Sequence, residues 1–181
     1  YDRLASRYTK ALARSMANTK QVKAVNPLIQ GLPTADAFDS GDGVSLFNTA
    51  HPTIAGTVAN TLATQADLNE TSLEQSLIDI AAFTDERGLL IAARPRKLII
   101  PPSLMFVATR LLETTLRVGT ADNDINALNS NGSIPEGYAV NHYLTDNDAF
   151  FITTDVPNGM KHFVRTAMQT GMDGDFDTGN V

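Results

Sequence analysis

Three histidines, His51, His142 and His162, are the first side chains whose chemistry would matter. An imidazole can hold a metal or relay a proton near neutral pH. They are far apart in the chain, so either role requires the fold to gather them. His51 stands before Pro52 and after an Asn48-Thr49-Ala50 turn, a setting that favours a hydrogen bond to its own loop. A ligand-binding or hydrolytic site would pair it with a carboxylate such as Asp39 or Asp42. Near the end of the sequence Asp173, Asp175 and Asp177 alternate as in a calcium loop. Thr178 stands where that loop needs glycine, and no bidentate Glu follows, so a polar turn is the simpler reading. Ser103 lies in no G-x-S-x-G setting and reads as a helix cap after Pro101-Pro102. Gly41-Asp42-Gly43 is too short to cradle a phosphate. No nucleophile, base and oxyanion hole assemble. The residues argue against an enzyme, and no catalytic residue, cofactor or metal ligand is assigned.

The basic residues are the more informative set. Arg3, Arg7, Lys10, Arg14, Lys20 and Lys23 are opposed only by Asp2 in the opening stretch, while the remainder is acidic enough to bring the net charge to −6. Arg3, Arg7, Lys10 and Arg14 in particular form a basic face suited to nucleic acid or to an acidic surface on another subunit. A solvated helix face is the plainer alternative. Cysteine is absent, which excludes disulfides, a thiol nucleophile and a cysteine zinc site. No apolar run is long enough to span a bilayer, and no signal-peptide pattern is present. The 181 residues suit one domain, with or without an attached arm. The chain opens at Tyr1 already in a helical pattern, which reads as a piece of a longer protein.

These residues need elements to position them. Leu4, Tyr8, Ala11, Leu12, Ser15, Met16, Thr19, Val22, Val25 and Ile29 recur at helical spacing, predicting a helix from Asp2 to about Gln30 that Pro27 ends or kinks. Residues 31–69 have no periodicity beyond a short strand or turn at Ser45-Leu46-Phe47, and a loop that long serves contacts or function. Two overlapping capping boxes, Thr71 with Glu74 and Ser72 with Gln75, predict a helix burying Leu73, Leu77, Ile80, Ala81 and Phe83, with Gly88 as its stop. Leu89 to Ala92 reads as a short strand and Arg94-Pro95-Arg96 as a break. Leu98-Ile99-Ile100 is a buried strand stopped by Pro101-Pro102. It feeds a helix to about Thr115 whose apolar face is Leu104, Phe106, Val107, Leu111 and Leu112. Residues 120–135 read as loop with an Asn131-Gly132 turn. Tyr138 to Leu144 and Ala149 to Thr154 read as a hairpin, and His162 to Met168 as a further strand. The fold class is α+β.

Two stretches carry a family likeness. One is Ser45-Leu46-Phe47-Asn48-Thr49-Ala50-His51-Pro52 with Asn60 and the capped helix. The other is Pro95 to Leu112, where a strand ends in Ile-Ile-Pro-Pro and enters a helix. With Asp85-Glu86-Arg87-Gly88, Asn126-Ala127-Leu128 and Tyr143-Leu144-Thr145-Asp146 in the same order, the chain resembles the major capsid proteins of tailed bacteriophages, of the phage Mu head-subunit type.

The resemblance implies the Hong Kong 97 type capsid fold and a structural, self-assembling head protein of a phage or prophage. Residues 1–31 would be the spine helix of a peripheral domain, 32–155 an axial domain, and 156–181 a return strand to the peripheral domain. An N-terminal arm and further peripheral strand known in the family would lie outside this sequence. The implied partners are copies of itself in capsomers, scaffolding and other head proteins, and packaged DNA held without sequence preference, with no membrane and no cofactor. The implied location is the virion capsid, assembled in the host cytoplasm. In that setting Arg3, Arg7, Lys10 and Arg14 would face DNA or a neighbour. The acidic loops Asp122-Asn123-Asp124 and Asp146-Asn147-Asp148 would be rims meeting basic partners.

Overall fold

The structure is a computed structural model and describes residues 2–32, 40–117, 124–157, 159–167, 169 and 171. The chain divides into two compact units, one of residues 1–24 with 160–181 and the other of residues 25–159. The first unit contains most of helix α1 (Asp2–Gln30). From Arg3 to Ala24 every side chain of α1 is exposed except the half-buried Met16. In the remainder of this unit no strand forms at residues 162–167, contrary to the strand expected over His162 to Met168, and Met168 lies outside the described residues. Alternation gives a strand its two faces, but a strand also needs a partner ladder. None is supplied by the described residues.

The second unit is built on a three-stranded sheet in the order β4-β3-β5, with β3 (Pro95–Ile100) central. β4 (Tyr138–Val140) runs parallel to it, with Leu98 opposite Tyr138. β5 (Phe151–Thr154) runs antiparallel, with Leu98 opposite Ile152. The expected hairpin between residues 138–144 and 149–154 is therefore corrected: both segments flank β3 and do not pair with each other. Leu98-Ile99-Ile100 is apolar on both faces, and an interior strand satisfies both its edges and its faces. Pro95 begins β3 instead of breaking the chain before it, since the first residue of a strand tolerates a missing N–H. Lys97 and Arg96 pair with Glu136 at 3.0 and 2.9 Å, tying the start of β3 to the segment before β4.

Leu98 and Ile100 are fully buried on one face, with Leu73, Leu104, Ala108, Leu128 and Ile134. The opposite face carries Ile99, packed with Val25, Leu28, Leu144, Phe47 and Phe151. The last turns of α1 are thus pinned to the back of the sheet by Val25 and Leu28. Helix α1 continues through Pro27 to Gln30, so Pro27 does not end it. A proline so close to the C-terminus removes one hydrogen bond, and the burial on either side of it holds the turn. Gly31 follows, and a Cβ there would lie 2.6 Å from the Pro27 carbonyl oxygen and 2.9 Å from Leu46 Cβ.

Helix α2 (Glu70–Ala81) is capped by Asn69, not by the Thr71 or Ser72 boxes. Asn69 Oδ1 accepts from Ser72 N–H at 2.9 Å and Ser72 Oγ accepts from Asn69 N–H at 3.0 Å. Leu73 and Ile80 are buried as expected, and Ala81 is exposed, against expectation. The helix ends at Ala81, well before Gly88. Leu89 to Ala92 is not a strand. The Asp85 carboxylate accepts from the Arg87 and Leu89 N–H groups at 2.8 Å each, which pins a turn, and Ala92 has φ 50°. Only a single bridge, Thr84 with Leu90, joins its two sides.

After β3 the chain makes a 3-10 turn (Pro102–Leu104) and then α3 (Met105–Leu112). Ser103 is not a cap; its hydroxyl donates to Asn147 O at 2.6 Å, fixing the 145–148 loop. Phe106, expected on the buried face, is 66% exposed, and Ala108 takes the fully buried position. Helix α3 stops at Leu112 rather than about Thr115 because Asn126 and Asn129 take its final carbonyls. Asn126 also caps the short α4 (Ala127–Ser130) inside the expected loop. A small hairpin, β1 (His51–Thr53) with β2 (Gly56–Val58), lies in the stretch that showed no periodicity.

Candidate functional site

Along an α-helix each residue turns by 100°, so Arg3, Arg7, Lys10 and Arg14 fall within a sector of roughly 60° on α1. All four are exposed. Beside them runs an apolar stripe that is exposed as well: Leu4 54%, Tyr8 67% and Leu12 55%. The Thr9 and Thr19 hydroxyls donate back to the Ala5 and Ser15 carbonyls, each at 3.0 Å, and so add no outward polar group to the helix. This surface can take phosphates or carboxylates over its cations and apolar side chains over its stripe. Phosphate contacts of this kind position a duplex and carry no sequence information.

His51 meets a carboxylate. Its Nδ1 is 2.7 Å from Asp42 Oδ2. The Ser40 hydroxyl donates to the same carboxylate, and these two hydrogen bonds, Ser40 first and His51 second, lower the Asp42 pKa to about 2. Asp39, the other carboxylate considered, lies outside the described residues. Around His51 the loop knits itself together. Asn48 N–H donates to Asn60 Oδ1 at 2.8 Å, Asn60 Nδ2 donates to Leu46 O at 2.7 Å, and Ala50 N–H donates to Asn48 Oδ1 at 3.0 Å. The Asn48 to Pro52 motif and Asn60 thus have a local structural role. A hydrolytic centre also needs a nucleophile and an oxyanion site in a cleft. Concavities of about 570 and 230 Å³ lie at the α3–α4 end and beside α2, and neither is lined by His51 or Asp42. His142 and His162 are exposed on separate segments. Among the described residues no group of three or more His, Asp or Glu is placed to hold a metal ion. Asp173, Asp175 and Asp177 lie outside the described residues, as do Asp122 and Asn123.

One surface had no signal in the periodicity. Leu89, Leu90 and Ile91 are 65%, 66% and 41% exposed, and Ile54 at the β1–β2 turn is 79% exposed. The sequence pattern reads the first three as part of a short strand, because an apolar run looks the same whether it is covered by its own chain or by another.

The described surfaces are those of a chain organised for contact: an uncovered amphipathic helix, a small two-faced α+β body and outward apolar side chains. No helix among the described residues is long and apolar enough to cross a membrane. The family model for phage capsid protein matches residues 1–181, and the chain belongs to that family. No curated protein and no solved structure matches it. Membership makes it a structural protein of the virion capsid rather than an enzyme, and a hydrolytic role for His51 is not favoured.

Proposed function

We propose that this chain acts as a major capsid, or head, subunit of a tailed phage or prophage, with a Hong Kong 97 type fold of the phage Mu class. Copies self-associate into an icosahedral shell around the DNA genome. In this reading residues 1–31 are the spine helix of a peripheral domain, 32–155 the axial domain, and 156–181 the return to the peripheral domain. The observation that carries it is α1. Over Arg3 to Ala24 both its basic face and its apolar stripe are uncovered, apart from the half-buried Met16. Helices in proteins owe most of their stability to packing of their apolar face, so a stripe this long supports a cover supplied by other chains.

The mechanism is non-covalent. Each subunit presents several modest patches, and symmetry multiplies weak contacts into a closed shell. Arg3, Arg7, Lys10 and Arg14 face packaged DNA, where they offset phosphate repulsion without reading bases, or an acidic rim of a neighbour. The Asp146-Asn147-Asp148 loop, held by Ser103, is such a rim. Scaffolding and other head proteins are further partners, and assembly takes place in the host cytoplasm. The test is electron microscopy of the full-length protein after expression. Shells, tubes or capsomers are expected; a folded, intact protein that forms none of them overturns the reading.

A further inference from the structure

We infer that the β1–β2 tip and the adjoining 84–91 segment form a two-fold contact with the same surface of a second copy, an inference that rests on the capsid reading for its setting. The two tips abut. Ala55 N–H donates to Glu86 O at 3.2 Å, and a Cβ on Gly88 (φ +82°) would lie 3.2 Å from Ala55 Cβ. The Asp85 carboxylate holds the turn, the Thr84–Leu90 bridge closes it, and Ile91 N–H donates to Phe83 O at 3.0 Å. Leu89, Leu90 and Ile54 are exposed on these two abutting segments. Three consecutive exposed aliphatic residues on a surface fixed in this way mark a contact site.

Size and charge identify the occupant. Ile54, Leu89, Leu90 and Ile91 expose on the order of 300–400 Å² of apolar surface. A stable pairwise complex buries about 800 Å² on each partner. This patch is therefore too small to hold a dimer alone and fits a weak contact that a shell repeats. At its edge Glu86 and Arg87 are exposed neighbours of opposite sign. A strongly acidic or strongly basic partner would be repelled by one of them. A two-fold copy sets Glu86 against Arg87 twice, which is the self-complementarity an isologous contact needs.

Residues 1–181 have no cysteine, so Leu90→Cys introduces a single thiol among them, and the full-length protein without the substitution is the control for any thiol elsewhere. In particles of the full-length variant treated with copper–phenanthroline, two such thiols across the two-fold join as a disulfide, giving their two electrons to the oxidant and releasing two protons. Dimer on a non-reducing gel is expected at least tenfold above that from Asp148→Cys on the exposed 145–148 loop. Equal or lower yield overturns the contact. A second variant, Leu89→Ser with Leu90→Ser, is expected to keep the wild-type unfolding curve while particle yield falls at least tenfold; unchanged yield overturns it. Should the wild-type protein form no particles, the capsid reading fails separately. The contact is then decided by sedimentation at high concentration, where weak dimerisation removed by the double variant supports it and its absence overturns it.

Discussion

Asn126 donates from its side-chain amide to the carbonyl of Leu111, 2.8 Å away, at the end of α3. The same amide reaches Thr114 O at 3.0 Å, while its Oδ1 accepts from Leu128 N–H at 3.1 Å and starts α4. One buried side chain thus serves the C-terminus of one helix and the N-terminus of the next, where backbone groups lack intrahelical partners. Asn126→Ala leaves those carbonyls unsatisfied and removes a cap. The expected loss is about 2–4 kcal/mol in urea unfolding. Asn126→Asp keeps the cap acceptor but turns a carboxylate toward the α3 carbonyls, so it is expected to rescue little of that loss.

Two apolar positions that read alike in the sequence should behave differently. Leu98 is fully buried, with neighbours on both β4 and β5. Leu98→Ala is expected to cost about 2–5 kcal/mol, because the sheet cannot close over the cavity. Phe106 is 66% exposed, and Phe106→Ala should change stability by less than about 0.5 kcal/mol. Equal losses at the two positions by chemical denaturation would contradict the placement of α3.

The contrast between Leu98 and Phe106 shows what sequence pattern carries. The α1 helix, the Leu98–Ile100 strand and the helix after it were legible, because long periodicity and a β-branched run ended by Pro-Pro are local signals. Strand order was not. Residues 138–144 and 149–154 look like a hairpin until β3 competes for both edges, and that competition is tertiary. The Asn69 cap is masked in the sequence because Thr71 and Ser72, two and three residues later, match the S/T-x-x-E/Q pattern and Asn69 with Ser72 does not. The basic sector of α1 was legible from charge spacing alone. The Leu89–Ile91 surface was not, because nothing in an apolar run tells which chain covers it.

Acid should act first on the His51 loop. The Asp42 carboxylate is lowered from 3.8 to about 2 by the Ser40 and His51 hydrogen bonds. Its folded value lies below its unfolded one. The stability it contributes is therefore complete above pH 3.8 and is lost as pH falls through about 2. Amide exchange in residues 40–60 is expected to quicken across that window, ahead of β3. Asp42→Asn should already exchange faster at neutral pH and show no further change over the window. A wild-type and a variant loop with the same acid profile would remove the pair from any stabilising role.

The basic face of α1 separates two roles by one experiment. Arg7→Glu, Lys10→Glu and Arg14→Glu change only exposed side chains, so the unfolding free energy of the triple variant should stay within roughly 1–2 kcal/mol of wild type. If the face meets DNA, shells still form but genome retention falls, and the gap from wild type narrows as salt rises, because salt weakens the wild-type phosphate contacts through counterion release. If it meets an acidic rim on a neighbour, particle yield itself falls, since three attractive pairs become repulsive. Restoring yield by Asp146→Lys with Asp148→Lys in the same chain would then identify that rim. Particle yield and genome content both unchanged in the triple variant would reduce the face to a solvated side of the helix.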